Sequence, residues 1–264
     1  MQNIVRNTKL YLFDMDGTLY LGDNLFSFSK ELLSEIRRTG GKYLFMTNNS
    51  SKSVLDYVKK LQKLGIEADR EDFMTSSQAT AFYLKNHHWG QKLYVCGTRS
   101  FVEELEREGF TVTTNLDEVE CVVMGFDTEL TFQKLEDACI LLNRGVDFVA
   151  TNPDWVCPTW YGSVPDCGSV CEMLHRATGR RPKVIGKPQP EMVYLALQRT
   201  GFAAEQAVMV GDRLYTDIAS GVNAGIDTVF VLSGEGVMED IEKYDVHPTW
   251  VKDHVRDIYR ELED

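Results

Sequence analysis

Asp14 and Asp16 stand two positions apart in "YLFDMDGTLYLGD", directly after an apolar run and just ahead of Gly17 and Thr18. Three further segments set chemistry-bearing residues behind apolar runs: Thr47 in "TNNSS", Lys187 in "GKPQP", and Asp212 and Asp217 in "GDRLYTD". Carboxylates gathered in one place repel each other unless a cation neutralises them, and an all-oxygen set suits a hard cation such as Mg²⁺. No His or Cys accompanies them, which argues against zinc. Lys187 brings a second positive charge, and Thr47 with the backbone N–H groups of Asn48 and Asn49 can donate to an oxyanion. Such a set suits a phosphoryl group, whose transfer depends mainly on positioning and charge neutralisation. One carboxylate on a strand end can attack phosphorus. A second, two residues on, can protonate the leaving oxygen and then deprotonate water.

These residues are useful only if the fold gathers them. Five apolar runs of strand length bear on this: Leu10–Phe13, Tyr43–Met46, the short Val184–Ile185, Ala207–Val210 and Thr228–Leu232. Helical patterns alternate with them. "SKELLSEIRRTG" and "SKSVLDYVKKLQKLG" carry apolar residues at helical spacing and end on Gly40 and Gly65; "PEMVYLALQRTG" and "TDIASGVNAG" also close on glycine. Strands and helices in alternation predict a parallel sheet covered on both faces. Ligands of such sheets bind beyond the carboxyl ends of the strands, so Asp14, Thr47, Lys187 and Asp212 are expected on one rim. A second set of strands ("KLYVCG", "CVVMGF", "DFVATN") and helices ("RSFVEELEREG", "TFQKLEDACILLNRG") fills the middle of the chain. The expected organisation is a doubly wound α/β core over residues 1–78 and 181–264, with an inserted α/β unit over residues 79–180, each boundary placed to within about eight residues.

The chain has 264 residues, a formal net charge of -12, 43% hydrophobic and 26% charged residues. Those values describe an ordinary globular protein with a sizeable core. The acidic balance argues against nucleic-acid or anionic-membrane partners, which are bound through Lys and Arg. An anionic substrate would need a local cation, because the overall field repels it. No apolar stretch at the N-terminus suits a signal peptide and no window reaches the ~20 apolar residues of a membrane span, so a cytoplasmic location is expected. The 6 cysteines match no zinc spacing and read as small buried residues, with Cys167 and Cys171 spaced to meet on one helix face.

Taken together, the motifs resemble the haloacid dehalogenase superfamily of phosphotransferases. Its first motif, Asp-x-Asp-Gly-Thr, matches "DMDGT"; the second matches Thr47, the third Lys187, and the fourth, Gly-Asp-x-x-x-x-Asp, matches "GDRLYTD", all in family order. "DMDGTLYLGD", "TNNSS", "GFD", "ATNPDW", "GKPQP" and "GDRLYTDI" further resemble the NagD-like phosphatases, relatives of pyridoxal phosphatase and phosphoglycolate phosphatase, over nearly the whole chain. One departure is "PDCG" at Pro165–Gly168, where the family often has Pro-Gly-Ala-Gly. The resemblance implies a Rossmann-like core with a large α/β cap between the second and third motifs. It implies Asp14 as nucleophile and Mg²⁺ ligand, and Asp16 as general acid/base with its backbone carbonyl on the metal. Thr47, Asn48 and Lys187 would hold phosphoryl oxygens, Asp212 would ligate Mg²⁺, and Asp217 would orient metal-bound water or Lys187. It further allows a homodimer formed through the cap.

Plainer readings stand beside these. Asp14 and Asp16 could be an Asx-turn pair, and Thr47 and Asp217 could cap helices. Asp127 in "GFD" could face substrate or cap the next helix; Asn152 and Asp154 could help close the site or only form a turn. The loop "TNPDWVCPTWYG" carries Trp155, Trp160 and Tyr161, for which packing is favoured over a substrate pocket. The expected function is a Mg²⁺-dependent phosphatase of a small phosphorylated metabolite (a sugar phosphate, nucleoside monophosphate or similar phosphomonoester) acting through an aspartyl-phosphate. A phosphomutase on the same site is the nearest rival. A non-catalytic phosphometabolite sensor is the rival from another class, against which the intact Asp14–Asp16 pair argues.

Overall fold

Leu10–Phe13 carries no polar side chain, and all four residues are buried, as a central strand covered on both faces requires. In this computed structural model, which describes residues 7–51, 54–159 and 161–263, it lies inside a six-stranded sheet. The order is Trp250–Lys252, Asp227–Val231, Ala207–Gly211, Leu10–Phe13, Lys42–Thr47 and Phe73–Thr75. Leu10–Phe13 pairs in parallel with both Lys42–Thr47 and Ala207–Gly211, and the next two strands continue the parallel ladder.

Alternation along these strands sends Tyr11, Phe13, Tyr43, Phe45, Val208, Val210, Val229 and Val231 to one face, where they form one apolar cluster. Three amphipathic helices complete it: Ser29–Arg38 through Leu32, Leu33 and Ile36, Val54–Lys63 through Val54, Tyr57 and Leu61, and Val255–Glu263 through Val255, Ile258 and Leu262. Full burial of each such side chain contributes roughly 1.5–3 kcal/mol. The opposite face, with Leu10, Leu12, Leu44 and Met209 fully buried, is covered by Ala219–Ala224, on which Glu191–Thr200 packs. The glycines that close these last two helices, Gly201 and Gly225, are left-handed. "TDIASGVNAG" is not uniformly α-helical: Leu214–Ile218 forms a π turn before the α-helix.

The second unit has its own five-stranded parallel sheet, ordered Lys183–Val184, Asp147–Ala150, Cys121–Met124, Lys92–Cys96 and Thr111–Val112. Its core joins Tyr94, Val122, Met124 and Phe148 to Leu141 and Leu142 of Phe132–Arg144 and to Val170, Cys171 and Leu174 of Cys167–Thr178. The helix Ser76–His87 opens on a capping box, in which Thr75 accepts from Gln78 N–H and Gln78 accepts from Thr75 N–H.

The chain therefore folds as an α/β protein, with a doubly wound parallel core and an inserted α/β unit. Of the described residues, 7–47, 54–74 and 187–263 form one compact unit, and 48–51, 75–159 and 161–186 form a second. Residues 48–51, expected in the core, belong to the inserted unit.

Other expectations are corrected. Val184–Ile185 is not a core strand: Lys183–Val184 pairs with Val149 and Ala150 at the edge of the second sheet. The stretch read as a loop around Trp155 forms an antiparallel hairpin, Val156–Thr159 with Gly162–Pro165; Trp160 lies outside the described residues, and Trp155 and Tyr161 are exposed. Four cysteines are buried, while Cys139 and Cys157 are only half-buried. Cys167 and Cys171 do meet on one helix face, with sulfurs 4.0 Å apart. Among the described residues no helix is long and apolar enough to cross a membrane.

Candidate active site

The parallel ladder carries one residue past Phe13, because Asp14 N–H donates to Val210 O (2.9 Å). This fixes the backbone of Asp14 to the strand that leads into Asp212. A tight turn follows, with Gly17 N–H on Tyr20 O (2.7 Å) and Leu19 N–H on Met15 O (2.9 Å). Gly17 has φ +91°, and a Cβ there would run into the Asp212 carboxylate. The turn thus needs glycine twice, for its left-handed backbone and for the close approach.

Asp14, Asp212 and Asp217 each offer a carboxylate oxygen within 4.8 Å of the others. Lys187, only 2% exposed, bridges two of them: Nζ donates to Asp14 Oδ1 (2.7 Å), to Asp217 Oδ1 (2.5 Å) and to Met46 O (3.4 Å). Burial alone would push the ammonium down, but Asp14 and Asp217 outweigh it and hold Lys187 above its ordinary value. One lysine does not balance three carboxylates. Burial, then repulsion from Asp217, raises Asp14 to about 8 against the pull of Lys187. Asp212 is raised to about 6 by burial and Asp217, with Glu235 N–H opposing. A divalent cation would supply the missing charge, and the close all-oxygen set matches a hard ion.

Asp217 is held from both sides, since its Oδ2 accepts from Arg213 N–H (3.1 Å). Thr47 ends the strand Lys42–Thr47, next to Leu10–Phe13 in the sheet. Asp16 does not join the carboxylate group. Its side chain is 54% exposed, Oδ1 accepts from Gly22 N–H (3.3 Å), and Oδ2 lies 3.5 Å from Lys60 Nζ.

Asn48, Asn152 and Asp154 come together within the second unit. Asn48 Nδ2 donates to Asp154 Oδ1 (3.1 Å), and Asn152 Nδ2 donates to Asn48 O (2.9 Å). Asp127 is taken up by Lys134 Nζ (2.7 Å) and Glu129 N–H (2.9 Å), an ion pair plus a turn. In place of the Pro-Gly-Ala-Gly pattern, Asp166 caps the helix Cys167–Thr178 by accepting from Cys167 N–H (2.5 Å).

One segment escaped sequence reasoning. Glu235 N–H donates to Asp212 Oδ2 (2.7 Å) and Ser233 Oγ to Gly17 O (2.8 Å), so residues 233–236 clamp both the fourth-motif carboxylate and the first-motif turn. Thr18 Oγ1 adds a long contact to Asp212 Oδ1 (3.4 Å). The only local signal was the pair Gly234 and Gly236 after an apolar strand; a Cβ at Gly234 would also meet Asp212.

Residues 11–111 match the model of the haloacid dehalogenase-like hydrolases, and residues 184–258 match a HAD-hydrolase-like model. An acid sugar phosphatase of Staphylococcus aureus is 34% identical over 259 residues, covering 98% of this chain and 100% of that protein. A solved structure described as a nagD protein is 35% identical, with a TM-score of 0.90 over 99% of this chain and 100% of that one. A glycerol phosphate phosphatase from Mycobacterium tuberculosis, solved in complex with magnesium, is 31% identical, with a TM-score of 0.91 over 100% of this chain and 80% of that one. This chain belongs to the haloacid dehalogenase-like hydrolases, and within them to the NagD-like phosphatases.

Proposed function

We propose that this protein is a Mg²⁺-dependent phosphatase of a small phosphomonoester, working through a phosphoryl group carried on Asp14. The observation that carries the reading is the gathering of Asp14, Asp212 and Asp217 within 4.8 Å, with Lys187 bridging Asp14 and Asp217. Asp14 and Asp212, with the main-chain carbonyl of Asp16, would hold the metal. When bound, Mg²⁺ would offset the repulsion between an anionic nucleophile and an anionic substrate.

Lys187 holds Asp14 Oδ1, leaving Oδ2 to attack phosphorus. As the Asp14 O–P bond forms, the bond from phosphorus to the substrate oxygen breaks, and Asp16 gives that oxygen its proton. Thr47 and Lys187 hold the transferring oxygens in place. Asp16, now ionised, takes a proton from water as the water oxygen attacks phosphorus. The Asp14 O–P bond breaks, and inorganic phosphate leaves. Asp217 keeps Lys187 aimed at Asp14 throughout. The acid sugar phosphatase and glycerol phosphate phosphatase among its relatives support a sugar or polyol phosphate as the substrate class.

The test is hydrolysis of 4-nitrophenyl phosphate with Mg²⁺ and with EDTA, in wild type and Asp14→Asn. Expected are Mg²⁺-dependent release of inorganic phosphate from a single substrate, its loss in the variant, and one phosphoryl group found on the Asp14 peptide after acid quench. Undiminished turnover in a sample of Asp14→Asn verified free of deamidation would exclude covalent catalysis. Transfer back to substrate without phosphate release would indicate a mutase.

A further inference from the structure

Asp16 is tied by two contacts from opposite sides. Gly22, at the tip of the short hairpin Tyr20–Leu21 with Asn24–Leu25, donates its N–H to Oδ1 (3.3 Å). Lys60 Nζ lies 3.5 Å from Oδ2 and also sits 4.2 Å from the centre of the Tyr20 ring. Tyr20 is buried, and its carbonyl accepts Gly17 N–H (2.7 Å), so the ring is anchored to the same turn that presents Asp16. Lys60 lies in the last turn of the helix Val54–Lys63. A lysine there could serve only the helix dipole. Lys59 and Lys63 of the same helix are exposed, as that role predicts, whereas Lys60 turns inward to 31% side-chain exposure. Exposed ion pairs contribute little to stability, so what the geometry offers here is a brace that holds the carboxyl in one direction.

We propose that Lys60, braced on the Tyr20 ring, is a positioning residue that sets the direction of the Asp16 carboxyl for proton transfer to the leaving oxygen. The proposal rests on the reading of Asp16 as general acid/base. No motif of the chain marks Lys60. Two flexible bonds separate the Asp16 carboxyl from the backbone, and without a brace it samples directions from which the leaving oxygen is out of reach. Misplacement by about 1 Å costs up to about a hundredfold in rate.

The experiment compares phenyl phosphate, whose leaving group needs a proton, with 4-nitrophenyl phosphate, whose leaving group departs as a stable anion. kcat/KM is the readout, because it reports steps up to departure of the leaving group. In Asp16→Ala the phenyl phosphate value falls by about a hundredfold or more, and the 4-nitrophenyl phosphate value far less. Lys60→Met and Lys60→Gln show the same split at smaller size, roughly tenfold against less than threefold. The Mg²⁺-induced rise in melting temperature keeps its wild-type size in both Lys60 variants, and Lys60→Met adds no further loss to Asp16→Ala. Equal losses on both substrates, no loss on either, or a missing Mg²⁺-induced rise would overturn the role of Lys60. If Asp16→Ala itself shows no split, the acid/base reading fails and the role of Lys60 fails with it.

Discussion

Lys187 Nζ lies 2.7 Å from Asp14 Oδ1 and closes a bridge to Asp217, so the chain's first and last motifs meet through the third. The lysine is almost wholly buried, and on the proposed reading its positive charge would be the protein's own share of the neutralisation that an anionic substrate requires. Lys187→Met should lower kcat/KM by about 10²–10³-fold, the range seen when one preorganised donor is removed. It should also destabilise the enzyme in EDTA by a few kcal/mol, about 3–5 for a buried ion pair stripped of one partner. Steady-state kinetics and chemical denaturation check the two effects. A variant as active as wild type would remove Lys187 from the site.

Gly17→Ala tests the close approach of the first-motif turn to Asp212. The substitution meets two penalties: a left-handed φ of +91°, which costs roughly 1–2 kcal/mol for a residue with a Cβ, and a collision with the Asp212 carboxylate. Asp212 must move, and the bond it accepts from Glu235 N–H is disturbed with it. The expected result is a kcat/KM lower by about 10²-fold or more, with a smaller Mg²⁺-induced shift in melting temperature.

Much of this was legible in the order of the residues. Leu10–Phe13 and Ala207–Gly211 are short, wholly buried strands, and their apolar runs advertise it. Asp14 and Asp212 stand directly behind these two strands, so a parallel sheet brings them together. What was not legible is mostly non-local. Nothing in "SGEG" says that Glu235 N–H will reach Asp212, and nothing in "YVKKLQK" separates Lys60 from Lys59. Lys183–Val184 is too short to show a period, so its sheet could not be chosen from sequence. The hairpin around Trp155 was hidden because Asn, Pro and aromatic residues there also fit a loop. Asp16 followed its motif in sequence, but its contacts with Gly22 and Lys60 did not.

Removal and return of Mg²⁺ should register in stability as well as in rate. A ligand that binds only the folded state stabilises it by about 2.7 kcal/mol at a hundred times its Kd. The melting temperature of wild type should therefore climb with Mg²⁺ concentration after EDTA treatment. Asp212→Asn, which keeps the volume and can still accept from Glu235 N–H, should show little or no climb. Differential scanning fluorimetry across a Mg²⁺ series reads both. An equal climb in the two proteins would place the metal elsewhere.

Asp166 should give the second unit a pH-dependent stability of its own. It caps the helix Cys167–Thr178 from a buried position, and burial, with Asp154 nearby, raises its carboxyl from the ordinary 3.8 to about 7 although Cys167 N–H pulls the other way. A carboxyl raised on folding favours the folded state below its unfolded value, where it is protonated in both states. That advantage is lost as pH rises through the folded value. Stability should thus fall between about pH 4 and pH 7 and then level, by at most about 4 kcal/mol. Asp166→Asn keeps an acceptor for Cys167 N–H, and Asn is as good a cap, but it has no proton to lose. The variant should match wild type near pH 4 and melt at a higher temperature at pH 8. Thermal melts of both proteins across that range, at fixed Mg²⁺ and ionic strength, decide it: parallel curves would show that Asp166 is not the group responsible.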